Sequence, residues 1–295
     1  MVAATGLTWN VVDDVRQLLA EHFMVNALRA GTIVAVTAGA IGWFMVLRRQ
    51  TFAGHTFAIV SFPGAAGAIL AGVSATVGYF GAAVAAALVI GAVPRSRSGT
   101  SAQETAVIGT VQAFALACGA LFVSLYGGFL NSVTGLLFGT FLGISDGQVT
   151  TLLVVGVVAL VALVAIARPL FFATVDPDVA RARRVPVGLL SVGFLVLLAC
   201  AAAAVSQITG ALLVFALLVM PAAAAQQVTA RPVASFVLTI VFALVIVWVG
   251  LGIAYFSVYP VGFYVTTIGF GLYVLASGYR VAAERVGRRV RVATS

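Results

Sequence analysis

The stretch that decides the fold is "VTTLLVVGVVALVALVAIA", residues 149–167, which contains no charged side chain. A helix needs about 20 consecutive apolar residues to cross the hydrocarbon core of a bilayer. The apolar residues here are continuous, whereas the strands of a membrane barrel alternate apolar and polar positions. The stretch therefore predicts a membrane-spanning helix.

The composition of the whole chain extends this prediction beyond one segment. Hydrophobic residues make up 62% of the 295 positions and charged residues only 8%, whereas a soluble domain carries about 25% charged residues. Such a chain cannot cover a water-facing surface with polar side chains. The predicted fold class is all-α, a polytopic helical membrane protein.

Nine apolar segments are predicted to cross the bilayer, and eight is the alternative count. They are residues 23–47, 55–73, 76–94, 104–126, 149–167, 187–205, 208–228, 233–257 and 260–279. With these crossings, the stretch 127–148 must begin and end on the same side, which predicts a re-entrant or surface helix. If that stretch spans instead, the count and the side of the N-terminus both change.

The positions of the arginines predict the orientation. All sixteen basic residues are arginines, and the predicted crossings place all of them except Arg16 and Arg29 on one side. Because positive charge is held on the cytoplasmic side of membrane proteins, the N-terminus is predicted outside and the C-terminus inside. The net charge of +8 thus indicates topology and contact with lipid, and no nucleic-acid partner is expected.

Three parts of the chain follow from this topology. Residues 1–22 are predicted to be an extracytoplasmic amphipathic segment, residues 23–280 the transmembrane domain, and residues 281–295 a basic cytoplasmic tail.

The chain lacks the residues that would power transport by itself. No Asp or Glu lies in the middle of a predicted crossing, and there is no phosphate-binding loop or zinc-protease motif. A secondary carrier or channel that works without ATP, and a membrane scaffold, stay open as alternatives. The two cysteines, Cys118 and Cys200, lie in apolar segments and predict neither a disulfide nor a metal site.

The loop "VDPDVARARRVPVG", residues 175–188, predicts a short helix between two crossings. Asp176 is the expected N-cap, Pro177 occupies the first helical position, Asp178 faces the positive end of the helix dipole, and Pro186 ends the helix. From the residues alone, its arginines could lie on anionic headgroups or dock into a partner protein.

Four stretches taken in order resemble the permease subunit of manganese, zinc and iron ABC importers. They are "FMVNALRAGTIVAVTAGAIGWFMVLRRQTFAGHTFA" (23–58), "GLLFGTFLGIS" (135–145), "DPDVARARRVP" (176–186) and "TGALLVFALLVMPAAAAQQ" (209–227). The resemblance implies a permease bundle like that of cobalamin importers, in the bacterial plasma membrane. It implies a transport subunit and not an enzyme, which moves a divalent metal ion inward and binds no cofactor. The alternative within this class is an ABC permease for a non-metal substrate.

The resemblance also implies the partners and the sites. A homodimer would enclose the pathway, a separate cytoplasmic ATP-binding subunit would hydrolyse ATP, and an extracellular metal-binding lipoprotein would deliver the ion. The short helix would be the coupling helix that docks on the ATPase, through Asp176, Pro177, Asp178, Val179, Ala180, Arg181, Arg183 and Arg184.

The expected pathway residues are His55, Ile59, Thr140, Pro63 and Pro221. Members of the family typically open the second helix with Gly-Asp-x-x-Ala-His, and in this chain His55 and Ile59 replace the acid and the imidazole, with Thr140 replacing a third acidic position. His55 is the candidate metal ligand, because imidazole suits zinc, copper, iron and nickel.

His55 and the two prolines each have a structural alternative. His55 could instead sit near Arg49 in headgroup territory and cap the helix with Thr56. The two prolines could be hinges of the pathway or could only shape packing. A second candidate ligand, His22, lies near Asp13, Asp14 and Glu21, which could equally be a solvated amphipathic segment.

Overall fold

A computed structural model describes residues 11–93, 101–125, 143–210 and 214–293. The described residues form eleven α-helices and no β-strand, which confirms the all-α prediction. The helices are α1 (Val11–Ala20), α2 (His22–Leu47), α3 (Thr51–Leu70), α4 (Ala75–Ala92), α5 (Ser101–Leu125), α6 (Asp146–Val175), α7 (Pro177–Ala182), α8 (Val187–Thr209), α9 (Val214–Val228), α10 (Pro232–Tyr255) and α11 (Val261–Ala293).

Eight of the described helices are long and apolar enough to cross a membrane, and α9 is a ninth, shorter apolar helix. The crossing predicted at 208–228 is therefore shorter than expected. Its first residues belong to α8, which continues to Thr209 and ends where Gly210 takes a φ of 77°. The 15 residues of α9 extend about 22 Å, less than the bilayer's hydrocarbon core of about 30 Å.

Long-range contacts bring the arginine-rich ends of the helices together. Arg48, at the end of α2, donates hydrogen bonds to Thr174 near the end of α6 and to Ser191 near the start of α8. Trp43 stacks on Phe171 with ring centroids 6.1 Å apart. These contacts define one end of the bundle, here called the arginine end.

The last three helices also reach the arginine end. The Trp43 indole donates to the Ser235 hydroxyl at the start of α10, and the Gln226 amide at the end of α9 donates to the Trp43 carbonyl. Arg280 of α11 donates to Gln227 over 2.8 Å.

The opposite end is marked by the start of α2. His22 lies 3.4 Å from Asp146 at the start of α6, and Phe23 stacks on Tyr255 at the end of α10. Successive membrane helices therefore run in alternating directions. Arg16 in α1 and Arg29 in the first half of α2 lie away from the arginine end. This is the partition of arginines on which the predicted orientation depends.

Helix α5 runs parallel to α3, since Thr56 donates to Gln112 and, further along both helices, Gly67 packs against Phe122. Leu125 thus ends at the same end of the bundle as Asp146. Residues 126–142 and Thr140 with them lie outside the described residues, so the re-entrant segment predicted at 127–148 stays a prediction.

Small residues let the backbones of neighbouring helices touch. A Cβ on Gly64 of α3 would collide with the carbonyl oxygen of Gly78 of α4, and a Cβ on Gly78 would collide with that of Gly64. On α2, a Cβ on Gly42 would collide with the Leu218 carbonyl of α9. Close backbone approach of this kind replaces the hydrophobic drive that is missing between helices in lipid.

Candidate functional site

The short helix α7 begins as its sequence predicts. The Asp176 carboxylate accepts a hydrogen bond of 3.0 Å from the Val179 amide, and Pro177 occupies the first turn. The side chain thereby satisfies one of the amide groups that a helix start leaves unpaired. The predicted N-cap is confirmed.

The end of α7 differs from the prediction that Pro186 ends it. The helix ends at Ala182, and Arg184 takes a left-handed φ of 60°. The Val185 amide then donates to the Ala180 carbonyl over 3.0 Å. This pattern closes a helix by satisfying its last carbonyls, and the position is usually held by glycine because other residues pay a steric cost there.

One residue anchors α7 to the bundle and the others are exposed. Ala180 is fully buried, whereas Val179 is 44% exposed. Asp178 and Arg181 form an ion pair of 2.9 Å on the surface, which contributes little to stability because water screens it. The exposed side chains of α7 form a mixed apolar and charged face at the arginine end of the bundle.

The structure brings His55 and Ile59 together on one half-buried face of α3, one turn apart. The His55 ring meets Phe215 of α9 edge to face, with centroids 5.4 Å apart. Its Nδ1 is buried and has no hydrogen-bond partner among the described residues. An imidazole nitrogen in this state can accept a hydrogen bond or bind a metal ion.

The alternative in which His55 and Thr56 cap the helix is wrong. Helix α3 begins at Thr51 with Gln50 as its N-cap, four residues earlier than the predicted crossing. Thr56 is fully buried, and its hydroxyl donates to Gln112 of α5 over 2.8 Å. The helix starts early because the α2–α3 turn is short, closed by Arg49 at a φ of 58°.

The two prolines are buried within helices, Pro63 in α3 and Pro221 in α9. Pro63 packs against α5, where a Cβ on Gly119 would lie 3.0 Å from its ring. This contact differs from the contact of His55 with α9, and it fits the alternative in which Pro63 shapes packing.

His22 does not form the predicted cluster with Asp13, Asp14 and Glu21. Its Nε2 lies 3.4 Å from the Asp146 carboxylate, and Asn26 donates to the same carboxylate over 2.9 Å. Asp146 is 124 residues away in sequence, so no local pattern could have paired them. Within the described part of the chain, no three His, Cys, Asp or Glu residues are grouped so that they could hold a metal ion.

Comparisons with known proteins place these features in context. The profile of the ABC 3 transport family matches residues 20–280. The chain is 30% identical over 242 residues to the manganese transport system membrane protein MntC of Halalkalibacterium halodurans, covering 82% of this chain and 81% of that protein. It is 30% identical over 210 residues to the chelated iron transport system membrane protein YfeC of Yersinia pestis, covering 71% and 70%.

A solved structure shares the fold. PsaBC from Streptococcus pneumoniae in complex with Fab matches with a TM-score of 0.80 at 23% identity, covering 90% of this chain and 95% of that chain.

Proposed function

The chain belongs to the ABC 3 transport family, and we infer from that membership that it is the membrane-spanning permease subunit of an ATP-binding-cassette importer. It is a multi-pass protein of the bacterial plasma membrane. It is a transport subunit and not an enzyme, because ATP is hydrolysed by a separate subunit in systems of this kind. The family match over residues 20–280 is the observation that carries this conclusion.

The proposed substrate is a divalent metal ion: manganese, zinc or iron. The relatives named for their substrates support this, since one is named for manganese transport and another for chelated iron transport. The ion is a transported substrate, and no resident cofactor is proposed.

The proposed orientation places the arginine end in the cytoplasm, with the N-terminus outside. The support is the gathering of Arg48, Arg181 and Arg280 with their neighbours at one end of the bundle. Cytoplasmic enrichment in arginine and lysine is the general rule for membrane proteins.

The proposed partners are a cytoplasmic ATP-binding subunit, an extracellular metal-binding lipoprotein and a second copy of this chain.

Helix α7 is the proposed coupling helix, so that it docks on a protein and does not lie on lipid headgroups. Its exposed face supports this, as does a cleft of about 400 Å³ between the end of α4 and the start of α8, lined in part by Arg181. A concave surface beside an exposed capped helix suits a protein partner.

His55 is the proposed ligand on the pathway, with the same residue of the second copy. The half-buried face of His55 and Ile59 supports this, because the His55 side chain is only partly covered within one subunit and its buried Nδ1 has no hydrogen-bond partner among the described residues. Thr140 stays a proposed pathway residue by resemblance alone, and Pro221 is proposed to shape the wall of the pathway from within α9.

Uptake by the reconstituted complex tests this function. Proteoliposomes that contain the chain, its ATP-binding subunit and its binding protein should accumulate manganese, zinc or iron ions only when ATP is supplied on the side of the membrane where the ATP-binding subunit is bound. His55→Ala should abolish most of this uptake, and Phe52→Ala is the matched control, since Phe52 is a 39% exposed residue one turn before His55. Equal uptake by both variants would remove His55 from the pathway.

A gain of function gives a second test. His55→Asp with Ile59→His restores the acid and imidazole that the family typically carries one turn apart. Carboxylate oxygen suits manganese better than imidazole does, so the double variant should shift the preference from zinc towards manganese. An unchanged preference would contradict the role of this face.

A chelated metal is a second candidate substrate. On the α3 face the described residues supply the imidazole of His55. They do not surround it with a cluster of His, Cys, Asp or Glu side chains that could hold a metal ion. A chelate brings its own ligands and needs fewer from the protein. Uptake of a chelated ion in preference to the free ion would favour this candidate.

A further inference from the structure

We propose that Arg48 is a positioning residue that ties both arms of the coupling helix to α2, so that movement of α7 is passed to the transmembrane bundle. The arms are the last turn of α6 and the first turns of α8. This inference rests on the proposed function and goes beyond it, because sequence reasoning assigned Arg48 only a topological role.

The guanidinium of Arg48 holds the two arms at once. Its Nη1 donates to the Thr174 hydroxyl over 3.0 Å, and its Nη2 donates to the Ser191 hydroxyl over 2.9 Å. Thr174 lies two residues before the N-cap of α7, and Ser191 lies near the start of α8, the helix that follows α7. The planar fork of arginine suits this simultaneous contact, which the single ammonium of lysine cannot reproduce.

Further contacts fix the guanidinium in place. The Nε donates to the Gln50 side chain over 3.3 Å, and the charge lies 5.3 Å from the centroid of the Phe194 ring. A cation over an aromatic face at this distance is attracted to it. The side chain is therefore held on several sides and is only partly exposed, which distinguishes it from an arginine that only marks the cytoplasmic side.

The coupling helix has little freedom to move without its arms. It has only six residues, it is joined to α6 through Asp176 alone, and Ala180 is fully buried against the bundle. A push on α7 must therefore displace the ends of α6 and α8, and Arg48 connects both ends to α2.

Helix α2 in turn contacts the helix that meets His55. Gly42 packs against the Leu218 carbonyl of α9, and Gln226 of α9 donates to the Trp43 carbonyl. The same helix α9 carries Phe215, whose ring touches His55. Arg48 thus stands between the proposed docking helix and the proposed pathway.

The test compares Arg48→Gln with Arg49→Gln in the full complex reconstituted in proteoliposomes, with manganese(II) as the probe and zinc(II) as the second probe. The two variants remove the same charge from neighbouring positions, but Arg49 is exposed. The readout is the number of ATP molecules hydrolysed per ion taken up, together with the affinity for the ATP-binding subunit. A residue that only supports folding would lower ATP hydrolysis and ion uptake in proportion. The number of ATP molecules hydrolysed per ion would then stay unchanged.

We expect Arg48→Gln to retain binding of the ATPase and ATP hydrolysis, but to need about tenfold more ATP per ion, since the charge-assisted hydrogen bonds to both arms are lost. Arg49→Gln should stay near the ratio of the unmodified complex. Equal ratios in the two variants would overturn the proposal.

A second pair of substitutions covers the case in which Arg48→Gln does not fold. Thr174→Val with Ser191→Ala keeps the arginine and removes its two hydroxyl acceptors. A raised ratio in this variant supports the proposal, and an unchanged ratio overturns it. If the unmodified complex shows no ATP-dependent uptake at all, the proposed function fails first and this inference fails with it.

Discussion

Replacing Gly78 with alanine should destabilise the bundle, although alanine is the better helix former. The backbones of α3 and α4 touch at Gly78 and Gly64, and the new Cβ would collide with the Gly64 carbonyl oxygen while lying 2.7 Å from the Cβ of Ala68. Both obstacles are rigid parts of α3, so the helices must separate.

The magnitude follows from the size of the collision. Ordinary contact needs at least 3.4 Å, so α3 and α4 must move apart by roughly an ångström along a buried interface, an overpacking change that costs about 1–3 kcal/mol. This cost must outweigh the gain of up to about 1 kcal/mol that alanine brings over glycine inside a helix. Gly81→Ala is the matched control on the same helix, because a Cβ there meets nothing within 4 Å.

The assay is the free energy of unfolding of the purified chain, measured by titration with a denaturing detergent. Gly78→Ala should be less stable than Gly81→Ala by about 1–3 kcal/mol. Gly64→Ala with Gly78→Ala should cost less than the sum of the two single changes, because one separation relieves both collisions. Equal stability of the Gly78→Ala and Gly81→Ala variants would refute the close α3–α4 approach.

Three further predictions concern caps and buried hydrogen bonds. Asp176→Ala removes the N-cap of α7 at a cost of about 1 kcal/mol and should weaken binding of the ATPase subunit, whereas Asp176→Asn keeps the cap and should bind nearly normally. Binding is measured on the immobilised ATPase subunit, and equal weakening by both variants would mean that the charge of Asp176 matters and not its cap. Arg184→Gly relieves the left-handed φ of 60° and should raise the thermal midpoint, while Arg183→Gly, at a φ of −81°, should not. Trp43→Phe leaves the buried Ser235 hydroxyl without its donor and should lower the free energy of unfolding by about 1–3 kcal/mol, with part of the loss recovered on adding Ser235→Ala.

The sequence by itself determined the properties that depend on local or summed chemistry. A run of 19 mostly apolar residues without a charge identifies a membrane helix whatever its neighbours are. Eight long helices and one short helix were found in the predicted segments. The N-cap of α7 was equally readable, since Asp176 and the Val179 amide that it binds are three residues apart.

A local feature can still mislead when a residue adopts a backbone conformation that its type disfavours. The end of α7 was assigned to Pro186, but Arg184 closes the helix in a left-handed conformation that is usual for glycine. The same conformation at Arg49 allows α3 to begin before His55. In both turns the amide of the next residue donates to the carbonyl five residues before it, Gln50 to Met45 and Val185 to Ala180, and these hydrogen bonds offset the steric cost of the left-handed arginine.

Only the tertiary structure decided which helices are neighbours and which polar groups meet between them. Arg48 reaches Thr174 across 126 residues and Ser191 across 143, and His22 meets Asp146 across 124. Membrane helices are apolar on nearly every face, so hydropathy carries no signal for the side that packs against a partner. Lateral packing is determined by small residues and single polar contacts that become visible only once the helices are assembled.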